Sequence, residues 1–322
     1  MNVDTTYVKD RPSGGGRLSS ALRRTMRTEL NNSSGLCDIV SVVDELGALV
    51  FRAVDTRALI QLTGRRVDQR CWRIHVMELK DRVVLITGGK RIGHIVAREL
   101  AAGGAHIGVS YRDSRTEALA TAAEVHQAGR KAAVVAADVG RPADCVRLID
   151  TVVSELGRLD VLINMASIYQ EIPFDLMSEE DWQLNIDVNL RSVFLCAKAA
   201  VSHMRRQGGG RIINFADWLA KSGRPAYKGF VAYYTAKAGV IALTEALALE
   251  LAADQILVNA LAPGPILPPP DMSIEERNEV AAATPVGRWG GEIEIAKAVR
   301  TLIESTFITG ETIRVDGGRH VH

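Results

Sequence analysis

Tyr233 and Lys237 stand four residues apart in a segment, Tyr233 to Ala253, whose spacing predicts a helix, so both side chains leave one helical face. A free phenol has a pKa of about 10, and a cation held beside it favours the phenolate, a better proton-transfer partner at neutral pH. A second group is Thr87-Gly88-Gly89-Lys90-Arg91-Ile92-Gly93, set between an apolar run and an amphipathic stretch from His94 to Ala102. Glycines where a strand turns into a helix let the backbone approach a pyrophosphate, and the helix start offers it unpaired N–H groups. Such a turn also serves as a plain connector, so its context has to decide.

That context is a repeating series of strands and helices in which the glycine turn follows the first strand. Strand two ends in Ser110-Tyr111-Arg112-Asp113-Ser114. An acidic tip there would bind the ribose of NAD, whereas a cation and a hydroxyl suit the additional 2′-phosphate of NADP. Arg112 and Ser114, with Lys90 and Arg91 nearby, favour NADP(H) over NAD(H), which stays the alternative. Asp138-Val139 follows strand three, where it would border the adenine or, more plainly, cap its own loop.

The strands that must position these groups are Val83 to Thr87, His106 to Tyr111, Ala132 to Ala137, Leu159 to Asn164, Arg211 to Phe215, Ile256 to Ala260 and Thr312 to Val315. Most are continuous apolar runs, as expected of strands buried on both faces. Helices fall between them, such as Thr116 to Gln127 closed by Gly129 and Pro142 to Glu155 closed by Gly157. The pattern predicts an α/β class protein: a Rossmann-type doubly wound, seven-stranded parallel sheet in a single catalytic domain with an N-terminal extension.

Composition narrows the function. The 322 residues are 47% hydrophobic and 24% charged, with a net charge of +1, so no chain-wide basic field favours nucleic acid or an anionic membrane. No apolar run reaches the roughly 18 residues a bilayer span needs, and a cytoplasmic location is expected. Cys37, Cys71, Cys145 and Cys196 are scattered without ligand spacing and predict buried or idle thiols, with no metal site.

Residues 1–76 break the rhythm. They carry eleven Arg and one Lys against eight acids, with loop-like stretches at Pro12 to Ser20 and Asn31 to Gly35. Asp38 to Gly64 holds two apolar runs about a turn at Gly47, then a short helix pattern; it resembles the opening hairpin of a PAS sensor domain, though too short to close that core. Met77-Glu78-Leu79-Lys80-Asp81 looks like a start, which would make the preceding residues a leader without function of its own. The expected domains are therefore 1–76 and 77–322.

Taken in order, Thr87-Gly88 with Gly93, Asp138-Val139, Asn164-Met165-Ala166-Ser167, Asn189, Tyr233/Lys237, Pro263-Gly264 and Val315-Asp316-Gly317-Gly318 resemble the short-chain dehydrogenase/reductase family over Met77 to His322. The resemblance implies that Tyr233 donates a proton to a substrate carbonyl or imine. Lys237 would lower the phenol's pKa and bind the nicotinamide ribose, and Asn189 would support a proton-relay water. Ile92, Tyr111, Asn164, Ala166, Ser167, Pro263 and Gly264 would join the glycine loop in lining the cofactor. Three departures stand out. The glycine loop is one residue short, with Arg91 where the middle glycine is expected; Met165 replaces an Asn; and Asp217 occupies the usual serine position.

Lys-Arg in the loop with Asp at that position resembles the pteridine reductases within the family. A carboxyl kept partly protonated in a screened pocket can donate to a ring nitrogen, which suits C=N reduction. Asp217 could instead bond the neighbouring backbone or pair with Lys221. Asp217 and Tyr233 are 16 residues apart, about three more than the resemblance implies, so Lys221 to Phe230 should form an altered pocket wall.

Six of the ten prolines lie between Pro263 and Pro285, around a predicted helix from Ser273 to Ala283, placed to act as a lid beside the nicotinamide. Tyr169, Phe174, Trp218 and Phe230 could stack on a flat heterocycle. Val240 to Ala253 and the long helix Glu180 to Arg206 have little polar face and predict a homo-oligomer, by resemblance a tetramer. The expected activity is NADPH-dependent hydride transfer to a carbonyl or pterin-like cyclic imine, a small-molecule substrate. The alternatives are reduction of 3-oxoacyl thioesters or sugars, and, in a different class, a non-catalytic NADP(H)-sensing protein.

Overall fold

The computed structural model describes residues 39–43, 49–53, 77–222 and 228–321. The Ser/Gly-rich opening, Asn31 to Gly35, Cys37, Cys71, the turn at Gly47, the helix pattern to Gly64 and residues 223–227 of the pocket wall lie outside them. The chain divides into two compact units, Met1–Ile74 and His75–His322. In the first, β1 (Ile39–Val43) and β2 (Leu49–Ala53) pair antiparallel, Ile39 opposite Ala53.

The second unit holds a seven-stranded parallel sheet: β3 (Val83–Thr87), β4 (His106–Tyr111), β5 (Ala132–Ala136), β6 (Val161–Asn164), β7 (Gly210–Phe215), β8 (Ile256–Pro263) and β9 (Thr312–Val315), in the order β5-β4-β3-β6-β7-β8-β9. All its strands run parallel, and the order of winding reverses between β3 and β6, which opens a crevice at the C-terminal ends of the strands. Helices cover both faces. On one, α1 (Ile92–Ala102) and α2 (Arg115–Gln127) close over the sheet; α3 (Pro142–Leu156) packs the other. Val83 to Ile86 and Val161 to Ile163 are wholly buried, which is why those strands read as unbroken apolar runs.

One element differs from expectation. The stretch expected as one helix from Glu180 to Arg206 is α4 (Glu179–Ile186), a wide π-turn (Asp187–Arg191) and α5 (Ser192–Arg206). Asn189 sits in the π-turn, where the Ser192 hydroxyl donates to the Val188 carbonyl at 2.6 Å and so competes for a ladder acceptor. After β7 come a short helix α6 (Trp218–Ser222) and α7 (Val231–Leu251), which carries Tyr233 and Lys237. The excursion after β8 contains α8 (Ile274–Ala282), begun by a capping box between Ser273 and Glu276, and returns into α9 (Glu292–Glu304). The peptide N–H groups of Gly290 and Gly291 donate to the carbonyls of Pro265 and Ile266 at 2.9 Å, pinning the ends of the excursion together.

Candidate active site

The glycine turn requires its glycines. Gly88 and Gly89 have φ of 63° and 86°, and a Cβ on Gly88 would lie 3.0 Å from Ala166 Cα. Thr87 Oγ1 accepts from the N–H groups of Met165 and Ala166 at 3.1 and 3.2 Å, stitching β3 to the segment after β6 across the crevice. The Gly88 N–H donates to Ser110 Oγ at 3.0 Å. With the N-terminus of α1 beside it, this cradle fits a dinucleotide pyrophosphate.

The basic groups nearby have protein partners. Lys90 pairs with Glu117 of α2. Arg112 pairs with Asp113 at 2.6 Å, and that carboxylate raises its pKa. Ser114 precedes α2 without a side-chain capping bond. Arg91 donates to the Pro268 carbonyl at 2.7 Å, and with Ile92, Pro263, Gly264, Ile266, Leu267 and Trp289 it lines an open cleft at the strand ends. Asp138 Oδ1 accepts from the Gly140 N–H at 3.0 Å, the loop-capping role, while Val139 is buried. No acidic side chain terminates β4 itself, whose last residue is Tyr111.

Across the crevice, Asp217, Tyr233 and Lys237 form one cluster in which Tyr233 and Lys237 are buried and Asp217 is half-buried. The Tyr233 hydroxyl donates to Asp217 Oδ2 at 2.9 Å. Asp217 Oδ1 accepts from the Leu219 N–H at 2.8 Å. Lys237 Nζ donates to the Phe215 carbonyl at 2.7 Å and lies 5.6 Å from the Tyr233 ring centre. Burial raises the Asp217 carboxyl's pKa, partly opposed by the Leu219 N–H, the Tyr233 hydroxyl and the Lys237 charge. Burial also pushes Lys237 down to about 8, against the pull of Asp217.

Two expectations need correction here. Lys237 is expected to lower the Tyr233 pKa, but burial first and then the Asp217 carboxylate outweigh it and hold the phenol well above its ordinary value. Asp217 was given Lys221 as an alternative partner, but Lys221 reaches Glu311 at 3.8 Å, while Asp217 binds both the backbone of Leu219 and Tyr233.

Asn189 is fully buried and its amide is saturated. Oδ1 accepts from Ser167 Oγ at 2.8 Å and the Ile168 N–H at 3.0 Å; Nδ2 donates to the Ile168 carbonyl and to Asn185 Oδ1. Its side chain therefore holds the Ser167 segment against the π-turn, and a relay water would have to use its backbone. Asn164 Nδ2 donates to Asn214 Oδ1, and Asn214 Nδ2 donates to Thr244 Oγ1 on α7, both at 2.9 Å. Neither Asn214 nor Thr244 is marked by a motif; the available signal was Asn214, a polar residue inside an apolar strand.

Of the four expected aromatics, two belong to the site. Tyr169 stacks on Phe230 with ring centres 4.5 Å apart and meets Tyr233 edge-on at 4.8 Å, and these rings with Asp217, Leu219 and Ala220 line a narrow slot. Trp218 lies under Arg319 instead, and Phe174 is exposed. Cys145 and Cys196 are buried free thiols.

A nucleotide cradle at the sheet's switch point facing a Tyr-Lys pair defines a dinucleotide-dependent oxidoreductase, and the comparisons agree. A family model described as enoyl-(acyl carrier protein) reductase matches residues 88–320. The chain belongs to the short-chain dehydrogenase/reductase family. A 3-oxoacyl-(acyl-carrier-protein) reductase of Synechocystis sp. is 40% identical over 245 residues, 74% of this chain and 97% of the relative. The 3-oxoacyl-(acyl-carrier-protein) reductase FabG of Staphylococcus aureus is 37% identical over 244 residues, with the same coverage of 74% and 97%. The crystal structure of a blue fluorescent protein from a metagenomic library in complex with NADPH superposes with a TM-score of 0.70 and 32% identity, covering 75% of this chain and 99% of that one. Among the described residues no helix is long and apolar enough to cross a membrane.

Proposed function

We propose that the protein is an NADPH-dependent reductase of a ketone-type carbonyl, with 3-oxoacyl thioesters as the leading substrate class. The observation that carries the reductive chemistry is the Tyr233–Asp217 contact of 2.9 Å with Lys237 beside the same ring. The names of the relatives at 37–40% identity, matched over nearly their whole length, favour the 3-oxoacyl class over a pterin. Bound nicotinamide cofactor supplies the hydride. Tyr233 presents its O–H to the substrate oxygen, and a protonated Asp217 then returns a proton to the phenolate, which the Lys237 ammonium stabilises in the meantime. Thr87, Gly88 and Gly89 shape the pyrophosphate cradle, and Arg91, Arg112 and Ser114 are the candidate contacts to phosphate.

A second reading, reduction of a pterin-like cyclic imine, is favoured by Asp217 itself. A half-buried carboxyl whose pKa is raised can protonate a ring nitrogen, and Tyr169 and Phe230 supply flat surfaces beside it. NADPH oxidation measured with acetoacetyl-coenzyme A and with a dihydropteridine separates the two. Turnover of the thioester alone supports the leading reading, turnover of the pteridine alone replaces it with the second, and oxidation of neither defeats both.

The assembly we propose is a homo-oligomer, by family resemblance a tetramer. In the single chain α7 exposes Val231 and Leu249, and α5 exposes Phe194. Apolar helix faces of this kind are normally covered by protein.

A further inference from the structure

Arg319, in the turn Arg319–Val321 near the chain's end, touches two segments that are far apart in sequence, the end of α8 and the residue next to Asp217. Its Nη1 donates to the Val280 carbonyl at 2.9 Å and to Thr284 Oγ1 at 3.4 Å. It thereby shares the Val280 carbonyl, near the C-terminal end of α8, with the Thr284 hydroxyl, which donates to the same oxygen at 2.8 Å. Its guanidinium carbon also lies 5.7 Å from the centre of the Trp218 ring, within range for cation–π attraction.

Trp218 follows Asp217 directly, and the Asp217 carboxyl is fixed to the same turn by the Leu219 N–H. The far end of that turn is held as well, because Arg314 Nη2 donates to the Lys221 carbonyl at 3.0 Å. The base of Arg319 is keyed to the root of the lid. Its N–H donates to the Asp316 carbonyl, Asp316 Oδ2 accepts from the His320 N–H and ring Nδ1, and a Cβ on Gly264 would lie 2.5 Å from Asp316 Cβ.

We propose that Arg319 is a positioning residue that couples the lid helix α8 to Asp217 through Trp218, so that the seating of the lid sets the placement of the carboxyl. This rests on the reading of Asp217 as part of the proton pair. A planar guanidinium can stack and donate at once, which a lysine ammonium does poorly. A residue that merely capped α8 would affect α8 and leave the Asp217 turn unmoved.

The test uses the full chain and the variants Arg319→Leu, Arg319→Gln, Trp218→Leu and the Arg319→Leu/Trp218→Leu double variant. The first readout is hydrogen exchange at the Leu219 amide, whose acceptor is the Asp217 carboxylate; the second is kcat. Arg319→Leu is expected to speed Leu219 exchange by roughly tenfold while amides of β8 keep their protection, and to add little to kcat loss once Trp218 is gone. Arg319→Gln, which can still donate to Val280 and so preserve the fold, is expected to show the same Leu219 effect. Unchanged Leu219 exchange in Arg319→Gln, or independent kcat losses that multiply in the double variant, overturns the proposal. Should the wild type reduce no substrate, the reading of Asp217 as an acid falls, and the exchange data alone decide the coupling.

Discussion

The Tyr233 hydroxyl donates to Asp217 Oδ2 at 2.9 Å across a 16-residue separation in the chain, so the phenol and the carboxyl titrate as one unit. The contact acts in opposite senses on its two ends: burial favours neutral Asp217 while the Tyr233 hydroxyl favours its carboxylate, and burial and then that carboxylate discourage the phenolate. Protonating Asp217 therefore readies Tyr233.

Tyr233→Phe removes the proton that reaches the substrate and leaves the nucleotide cradle intact. A kcat loss of about 10²–10⁴-fold is expected, with NADPH affinity by fluorescence titration nearly unchanged. A variant as fast as wild type would remove Tyr233 from the chemistry.

Asp217→Asn removes the carboxylate that holds the phenol up, so the alkaline limb of the kcat profile should move to lower pH. Stability should respond too. Because the folded-state pKa of Asp217 is raised, the native protein binds more protons than the unfolded chain above about pH 4, and wild-type stability falls as pH rises through that window. The asparagine variant lacks this slope, so its Tm should gain on that of the wild type as pH rises through that window.

Lys237 has the opposite linkage sign. Its folded pKa is depressed to about 8 from 10.5, so the charged form is disfavoured in the fold and stability rises between those values as pH increases. A shift of that size corresponds to roughly 3 kcal/mol. Lys237→Met should abolish turnover yet unfold at higher urea than wild type at pH 7, with the difference shrinking by pH 10; equal midpoints at both pH values would contradict the buried-ammonium account.

Arg112 is exposed and already shares its charge with Asp113. Asp113→Asn should therefore free the guanidinium and lower the KM for NADPH several-fold, whereas Arg112→Ala should raise it about tenfold with little effect on NADH. Parallel changes for both cofactors would place the 2′-phosphate elsewhere.

Much of this architecture was legible in the residues. Val83 to Thr87, His106 to Tyr111 and Thr312 to Val315 form strands with the expected bounds; in the first, burial on both faces leaves a continuous apolar signature, whereas Thr312–Val315 lies at the sheet edge and is mostly half-buried. The Tyr233/Lys237 pairing followed from helical spacing. The division of Glu180 to Arg206 was hidden, since a π-turn adds one residue per turn without altering composition, and Asn189 does its work through tertiary partners. The pKa of Tyr233 also lay beyond spacing: Lys237 is committed to the Phe215 carbonyl, and Asp217 arrives from a separate element. Arg319 was invisible because neither Val280 nor Trp218 is its neighbour in sequence.

The hydrogen-bonded line from Asn164 through Asn214 to Thr244, which passes on to the Val240 carbonyl, acts as a crossbar between the middle of the sheet and the helix bearing the phenol. The catalytic helix thus has no cheap sliding mode along its axis. Heat should erase competence and sheet structure in the same transition, with no warm interval in which a folded but inert enzyme accumulates.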